Sequence, residues 1–152
     1  MKLVIQRVSR AAVRVEGRVV GEIGVGVLVL VGLEVGDGLG EVERAARRVA
    51  TLRIFEDGEG RMNRGLDEVA GGVLAVSQFT RAGSIRRGRR PSFDRAMRGD
   101  DARALFDRFV AELGALGVAV ETGAFGAMME VELVNDGPVT LIWDDPPPPT
   151  SG

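Results

Sequence analysis

The chain contains neither histidine nor cysteine. Any chemistry it performs must therefore run on hydroxyls, carboxamides, carboxylates, guanidinium groups or the backbone. Two segments combine such groups with chain geometry suited to a site. Ser77-Gln78-Phe79-Thr80 ends one apolar run, and Asn135-Asp136-Gly137-Pro138-Val139-Thr140 ends another. A strand that stops at Ser77 places hydroxyls and backbone N–H donors together at a sheet end. With no histidine, the Ser-His-Asp route to an activated hydroxyl is excluded. An oxyanion site built from backbone donors stays open, and losing one such donor typically costs about 10²–10³ in rate. Several donors together could hydrolyse an already activated ester, with general-base help drawn from elsewhere, including the substrate itself. The alternative is a plain Ser/Thr cap at a strand end.

The second segment also has two readings. Asn-Asp-Gly is turn chemistry between two strands. A Gly137-Pro138 bond can also be cis, a form usually held for a reason. It would then aim neighbouring carbonyls one way and build a wall able to reject one stereoisomer without a specific side chain. Arg7 interrupts an apolar strand, where its donors could brace a neighbouring loop. Seven arginines, Arg81, Arg86, Arg87, Arg89, Arg90, Arg95 and Arg98, lie together with Asp94 as their only acidic neighbour. Such a cluster can meet phosphates locally or remain a solvated loop. Glu130 and Glu132 alternate toward solvent or a subunit partner, Met128 and Met129 read as core, and Asp144 and Asp145 read as solvated.

These segments need elements to hold them. Lys2–Val8 and Ala11–Glu16 read as strands, Gly17 as a turn, and Arg18–Ile23 as a hairpin partner. Val25–Leu33 is apolar enough to be buried on both faces. A helix is predicted over Glu41–Leu52, with Val42, Ala45, Ala46, Val49 and Leu52 inward. Gly72–Gln78 is the strand that delivers Ser77, and Pro91-Ser92 could open a short helix. Asp100–Leu116 is the clearest helix, with Leu105, Phe109, Leu113 and Leu116 as its stripe and Gly117 as its stop. Val118–Glu121, Met129–Val134 and Val139–Trp143 close the pattern as strands. The fold class is α+β, a largely antiparallel, barrel-like sheet flanked by two main helices. Residues 1–144 read as one domain, and the Pro-rich 145–152 as a tail outside any sheet.

The chain has 152 residues, 45% apolar and 28% charged, with a net charge of −2. That is a soluble globular profile, with no apolar run of the ~18–20 residues a membrane span needs. No disulfide framework or thiolate metal site is possible, and zinc would have only carboxylate ligands. The expectation is a cytoplasmic protein without metal or cofactor.

Read in order, these residues resemble a known family. Ser-Gln-Phe-Thr, Arg-Pro-Ser-Phe at Arg90–Phe93 and Asn-Asp-Gly-Pro-Val-Thr look like the bacterial-type D-aminoacyl-tRNA deacylases. Gln6–Ala11, Leu52–Phe55 with Met62-Asn63, and Thr122–Gly126 are further landmarks, so the likeness spans about Met1–Asp144. It departs at Arg81, Ser84 and Ile85, in the arginine-rich loop that follows, and at Ala127 and Glu130. The resemblance implies a homodimer with active sites at the subunit interface. The enzyme would hydrolyse the ester joining a D-amino acid, or glycine, to the 3′ end of tRNA. It implies that Ser77, Gln78, Phe79 and Thr80 line the catalytic pocket. Gly137 and Pro138 would form a cis pair that enters the partner's pocket and rejects L-amino acids, and Arg7 would support that loop. Either Thr80 as nucleophile or the terminal 2′-hydroxyl as helper is compatible with it, and the missing histidine favours the second. A module that binds the tRNA end without turnover, and a general esterase using Thr80, are the rival readings.

Overall fold

The computed structural model describes residues 1–145. In chain order the elements are β1 (Lys2–Val15), β2 (Arg18–Ile23), β3 (Gly26–Gly32), α1 (Leu39–Thr51), β4 (Phe55–Glu56), β5 (Met62–Arg64), β6 (Gly72–Ser77), a 3-10 turn (Phe79–Ala82), α2 (Gly99–Ala115), β7 (Ala119–Thr122) and β8 (Glu130–Asp144). The result is an α+β fold with a barrel-like main sheet, as the sequence leads one to expect.

The main sheet runs β2-β1-β3-β6-β7, with β8 on the other edge of β1. The two expected N-terminal strands form one long β1, because Val8–Arg10 stays extended opposite β8. The first half of β1 pairs with β3 and the second half with β2. Glu16 and Gly17 both take positive φ (50° and 79°), the two-residue hairpin turn that the Gly17 signal anticipates. β1 is antiparallel to all three of its partners, whereas β3-β6 and β6-β7 are parallel. A parallel pair needs a crossover connection, and α1 and α2 supply them. The sheet curls until β2 meets β7: a Cβ at Gly21 would lie 2.2 Å from the Thr122 carbonyl oxygen.

Alternation along β3 and β6 fills two cores. Val27, Val29, Val31, Val73 and Ala75 pack with Leu3 and Ile5 beneath the helices. Leu28, Leu74 and Val76 pack with Val8, Ala11 and Val13 inside the curl. Helix α1 buries Val42, Ala45, Ala46 and Val49, the expected face. Helix α2 differs. It buries Ala102, Phe106, Phe109 and Leu113, while Leu116 is 48% exposed. Leu116 is the C-cap, where the chain leaves helical geometry before Gly117 at φ 83°, so the stripe ends one turn earlier.

Three local expectations fail. No helix begins at Pro91-Ser92, because Ser84 and Ser92 exchange backbone hydrogen bonds of 2.7 and 2.8 Å, which holds the segment extended. Met128 is 92% exposed rather than core. Asp145 is not free in solvent: its N–H donates to the Met1 carbonyl at 2.9 Å, and its carboxylate accepts from Arg44 Nε at 2.9 Å. The rest of the expected tail, 146–152, lies outside the described residues. Glu132 sits in a fork of Arg10 and Arg14 on the β1-β8 surface. Hydrogen bonds from Arg10 and then Arg14 hold its carboxyl below the usual range.

The closure at Gly21 gives the first prediction. An added methyl there has backbone rather than a flexible side chain in its way. Gly21→Ala should lower stability by about 1–3 kcal/mol, the cost of overpacking, read as a drop in urea midpoint with unchanged m-value. An unchanged midpoint would mean that β2 and β7 are not held together in solution.

Candidate active site

β6 lies parallel to β3 and pairs with it through Val31↔Ser77. Its ladder ends one residue later, where the Gln78 N–H donates to the Val31 carbonyl at 2.8 Å. That bond commits the Gln78 donor to the sheet. The chain then winds into the turn Phe79–Ala82, which has no side-chain cap on its first N–H groups. Helical turns leave their first donors without intrahelical partners, so the Phe79 and Thr80 N–H groups remain for a ligand. The Thr80 hydroxyl oxygen accepts from Gln78 Nε2 at 2.7 Å, which fixes its orientation and leaves its own proton free. Gly32 permits this approach, since a Cβ there would come within 2.9 Å of Arg81 Cβ.

Ser77, Gln78, Phe79 and Thr80 all line one cavity of about 670 Å³, a size suited to a small ligand or the end of a larger one. Gln6 and Arg98 complete its polar lining, and Phe125, Met128, Met129 and Leu133 are among its apolar walls. Among the described residues, no carboxylate lines it. The chemistry available is therefore donation: two backbone N–H groups, two carboxamides, hydroxyls and one guanidinium. Among the described residues, no group of three acidic side chains is placed to hold a metal ion. Phe79 is 45% exposed. The Arg98 guanidinium stacks on its face at 4.5 Å, and the Phe93 ring meets it edge-on, centroids 5.2 Å apart. Residue-by-residue reading gives no site role to Phe93 or Phe125, and places Arg98 only in the arginine cluster that could meet phosphates. The signals were present, since Phe93 and Phe125 stand inside the Arg-Pro-Ser-Phe and Thr-Gly-Ala-Phe-Gly landmarks.

The second segment is held elsewhere. Opposite Gln6–Val8, strand β8 carries extra residues between Asn135 and Thr140, so Asp136–Val139 stands out from the ladder. Asn135 closes this loop: its Oδ1 accepts from the Val139 N–H at 2.7 Å, and its Nδ2 donates to Thr140 Oγ1 at 3.0 Å. Val139 is buried beneath it and anchors it to the core. Gly137 has φ 140°, and the Gly137-Pro138 bond is cis. Both residues are exposed, and neither lines the cavity of its own chain. Arg7, 6% exposed, reaches the loop through the sheet. Its Nε donates to the Asp136 carbonyl at 2.8 Å and its Nη1 to the Ile54 carbonyl at 2.7 Å. The structure thus gathers Ser77–Thr80 at one place and Arg7 with Gly137-Pro138 at another.

Comparison with known proteins identifies the family. A family model described as D-Tyr-tRNA(Tyr) deacylase matches residues 4–144. A D-aminoacyl-tRNA deacylase of Geobacter sp. (strain M21) is 56% identical, covering 97% of this chain and 99% of that one. One from Symbiobacterium thermophilum is 57% identical, covering 95% of each. Among solved structures, the c-Myc DNA Unwinding Element Binding Protein superposes with a TM-score of 0.89 at 36% identity, covering 96% of this chain and 99% of that one. A probable eukaryotic D-amino acid tRNA deacylase shares the fold, with a TM-score of 0.80 at 20% identity over 95% and 98%. The chain belongs to the D-Tyr-tRNA(Tyr) deacylase family.

Arg7 supplies the prediction for this site. Its removal leaves the buried Ile54 carbonyl and the Asp136 carbonyl without their donors. Arg7→Ala should cost about 2–4 kcal/mol of stability, the desolvation penalty of groups left unpaired. Arg7→Lys should recover only part, because an ammonium lacks the planar fork that reaches both carbonyls. Thermal denaturation of the three proteins checks this, and equal stabilities would remove Arg7 from the loop's support.

Proposed function

We propose that this hydrolase of the deacylase family cleaves the ester between a D-amino acid, or glycine, and the terminal ribose of tRNA. The observation that carries the reading is the strand-end cavity with two uncommitted backbone donors and no base. An aminoacyl ester is already activated, so its hydrolysis needs mainly stabilisation of the developing oxyanion, a role that suits the uncommitted Phe79 and Thr80 N–H groups. Gln78 and Thr80 orient the substrate. With no carboxylate or imidazole in the lining, the proton transfer falls to the substrate's own 2′-hydroxyl, next to the ester, or to water. Ser77 and Phe79 shape the pocket, and Arg98 extends its rim. No step requires a metal or cofactor.

Chirality is read by shape. In this proposal the Gly137-Pro138 loop of one subunit enters the partner's cavity, where an L side chain would collide with it and a D side chain points away. Three features favour a homodimer arranged this way. The loop is exposed, it lies outside its own cavity, and Arg7 and Asn135 hold it in one shape. Val131, Val134, Leu141 and Ile142 are also exposed along β8, apolar residues on its two faces that an interface could cover. A charged-tRNA substrate favours a cytoplasmic location.

Matched D-tyrosyl-, L-tyrosyl- and glycyl-tRNA test the reading. The D and glycine esters should be cleaved and the L ester spared. Loss of all activity with tRNA binding retained would make the protein a binding module, and cleavage of all three would remove the chiral filter. Thr80→Ala should reduce kcat by no more than about tenfold, whereas losing a nucleophile costs on the order of 10⁴-fold or more. A trapped acyl-enzyme would likewise establish Thr80 as nucleophile. At Gly137, a Cβ would lie 2.9 Å from the Val139 nitrogen and 3.1 Å from Arg7 Nη2, at a φ that disfavours any side chain. Gly137→Ala should therefore displace the loop and lower the ratio of D to L cleavage by about 10²-fold, the scale of ångström-level misplacement. An unchanged ratio would take the loop out of chiral selection.

A further inference from the structure

The arginine-rich stretch beyond Thr80 is not used by the deacylation chemistry, and the structure gives it a defined form. Ser84 and Ser92 exchange both backbone hydrogen bonds and close an arm whose tip turns at Gly88, φ 70°. Between them lie Arg86, Arg87, Arg89 and Arg90, all exposed, with no acidic residue in the arm. None of the four has an acidic group within ion-pair distance among the described residues, and the nearby Asp94 carboxylate is taken by the Ser92 hydroxyl at 2.7 Å. The chain as a whole is acidic, with net charge −2, so four unpaired positive charges on one arm are a local reversal of sign.

The base of the arm is fixed to the cavity. Gly83 donates its N–H to the Thr80 carbonyl at 3.0 Å, so the arm leaves directly from the catalytic turn. On the return side Phe93 packs edge-on against Phe79, whose ring lines the cavity. Beyond it, Val35 N–H donates to the Arg95 carbonyl and Met97 N–H to the Leu33 carbonyl, both at 2.9 Å. Arg95 Nε stands 3.3 Å from the buried carboxylate of Glu34. The mount is rigid on both sides. From Gly83 to Gly88 the backbone can reach at most about 17 Å past the mouth of the cavity.

We infer that this arm is an electrostatic clamp for the phosphates of the RNA strand whose aminoacylated 3′ end occupies the cavity. The inference rests on the deacylase reading for the identity of that RNA. Arginine suits the task because its planar fork pairs phosphate oxygens bidentately. Contacts to phosphates position the strand without reading its sequence. The arm therefore contributes affinity shared by all tRNAs, and the choice between D and L esters is made in the cavity.

The test uses the full chain with Arg86, Arg87, Arg89 and Arg90 all changed to Gln, beside a version with all four changed to Lys. Binding of uncharged tRNA is followed by fluorescence anisotropy from 50 to 300 mM salt. Four phosphate contacts contribute about 3 to the slope of log K against log salt. The Gln variant should lose about that much of the slope and bind about 10- to 100-fold more weakly at the lowest salt. The Lys variant should retain the slope. Hydrolysis of a D-aminoacyl ester of adenosine, which carries no phosphate, should be the same in all three proteins. An unchanged slope in the Gln variant overturns the clamp, as does an equal loss on the phosphate-free ester, which would place the arm in the catalytic machinery. A Gln variant with normal tRNA binding and altered oligomeric state would make the arm a protein contact instead. The two readings fail separately. If the wild type cleaves no D-aminoacyl ester but the slopes differ as stated, the deacylase reading falls and the clamp stands.

Discussion

Strand β1 shares its two edges among three partners, and both candidate site segments depend on that arrangement. One edge carries β8 along almost the whole strand, and the other is divided between β3 and β2. Through β3, β1 fixes β6 and with it the end of the ladder at Ser77. Through β8, it fixes the loop Asp136–Val139. Arg7 braces the second of these, since it sits in β1 with its side chain buried and spends its donors on carbonyls of the loop and of Ile54. Burying a guanidinium is tolerated only when its donors are used. The same requirement that stabilises Arg7 therefore ties the loop to the sheet.

In the proposed mechanism the site works by what it leaves unpaired. The sheet consumes the Gln78 N–H, and the turn that follows gives no partner to those of Phe79 and Thr80. Donors kept in place by the fold need no reorganisation when charge develops on the substrate, and this is the main source of their effect. An apolar wall lowers the local dielectric beside the donors, which strengthens such interactions. On the proposed mechanism, a fold with neither histidine nor cysteine hydrolyses an ester because the substrate is reactive and brings its own proton acceptor.

Much of this was legible in the sequence, for identifiable reasons. Val42, Ala45, Ala46 and Val49 repeat at helical spacing, so α1 and its buried face could be read directly. Val27 to Val31 is apolar without interruption, which signals a strand buried on both sides. The parallel β3-β6 and β6-β7 pairs were not legible, because strand direction depends on where the crossover helices pack. The stripe of α2 shifted because Leu116 belongs to the cap, a boundary that apolar spacing does not mark. Pro91-Ser92 resembled a helix start, but the reciprocal Ser84–Ser92 bonds, long-range in the loop, prevailed over that local preference. Within the site, Ser77–Thr80 stood out as a motif. The stacking of Arg98 on Phe79 joins residues far apart in sequence and needed the structure.

The central claim is that the cavity supplies oriented donors and the substrate supplies the base. It is tested most directly with D-tyrosyl-tRNA esterified at the 3′-hydroxyl of a terminal 2′-deoxyadenosine, compared with the ordinary ribose under single-turnover conditions. The account predicts that the deoxy substrate binds normally and reacts about 10²–10⁴-fold more slowly, the worth of a positioned proton acceptor. Equal rates on the two substrates would contradict it and return the search for a base to the protein itself.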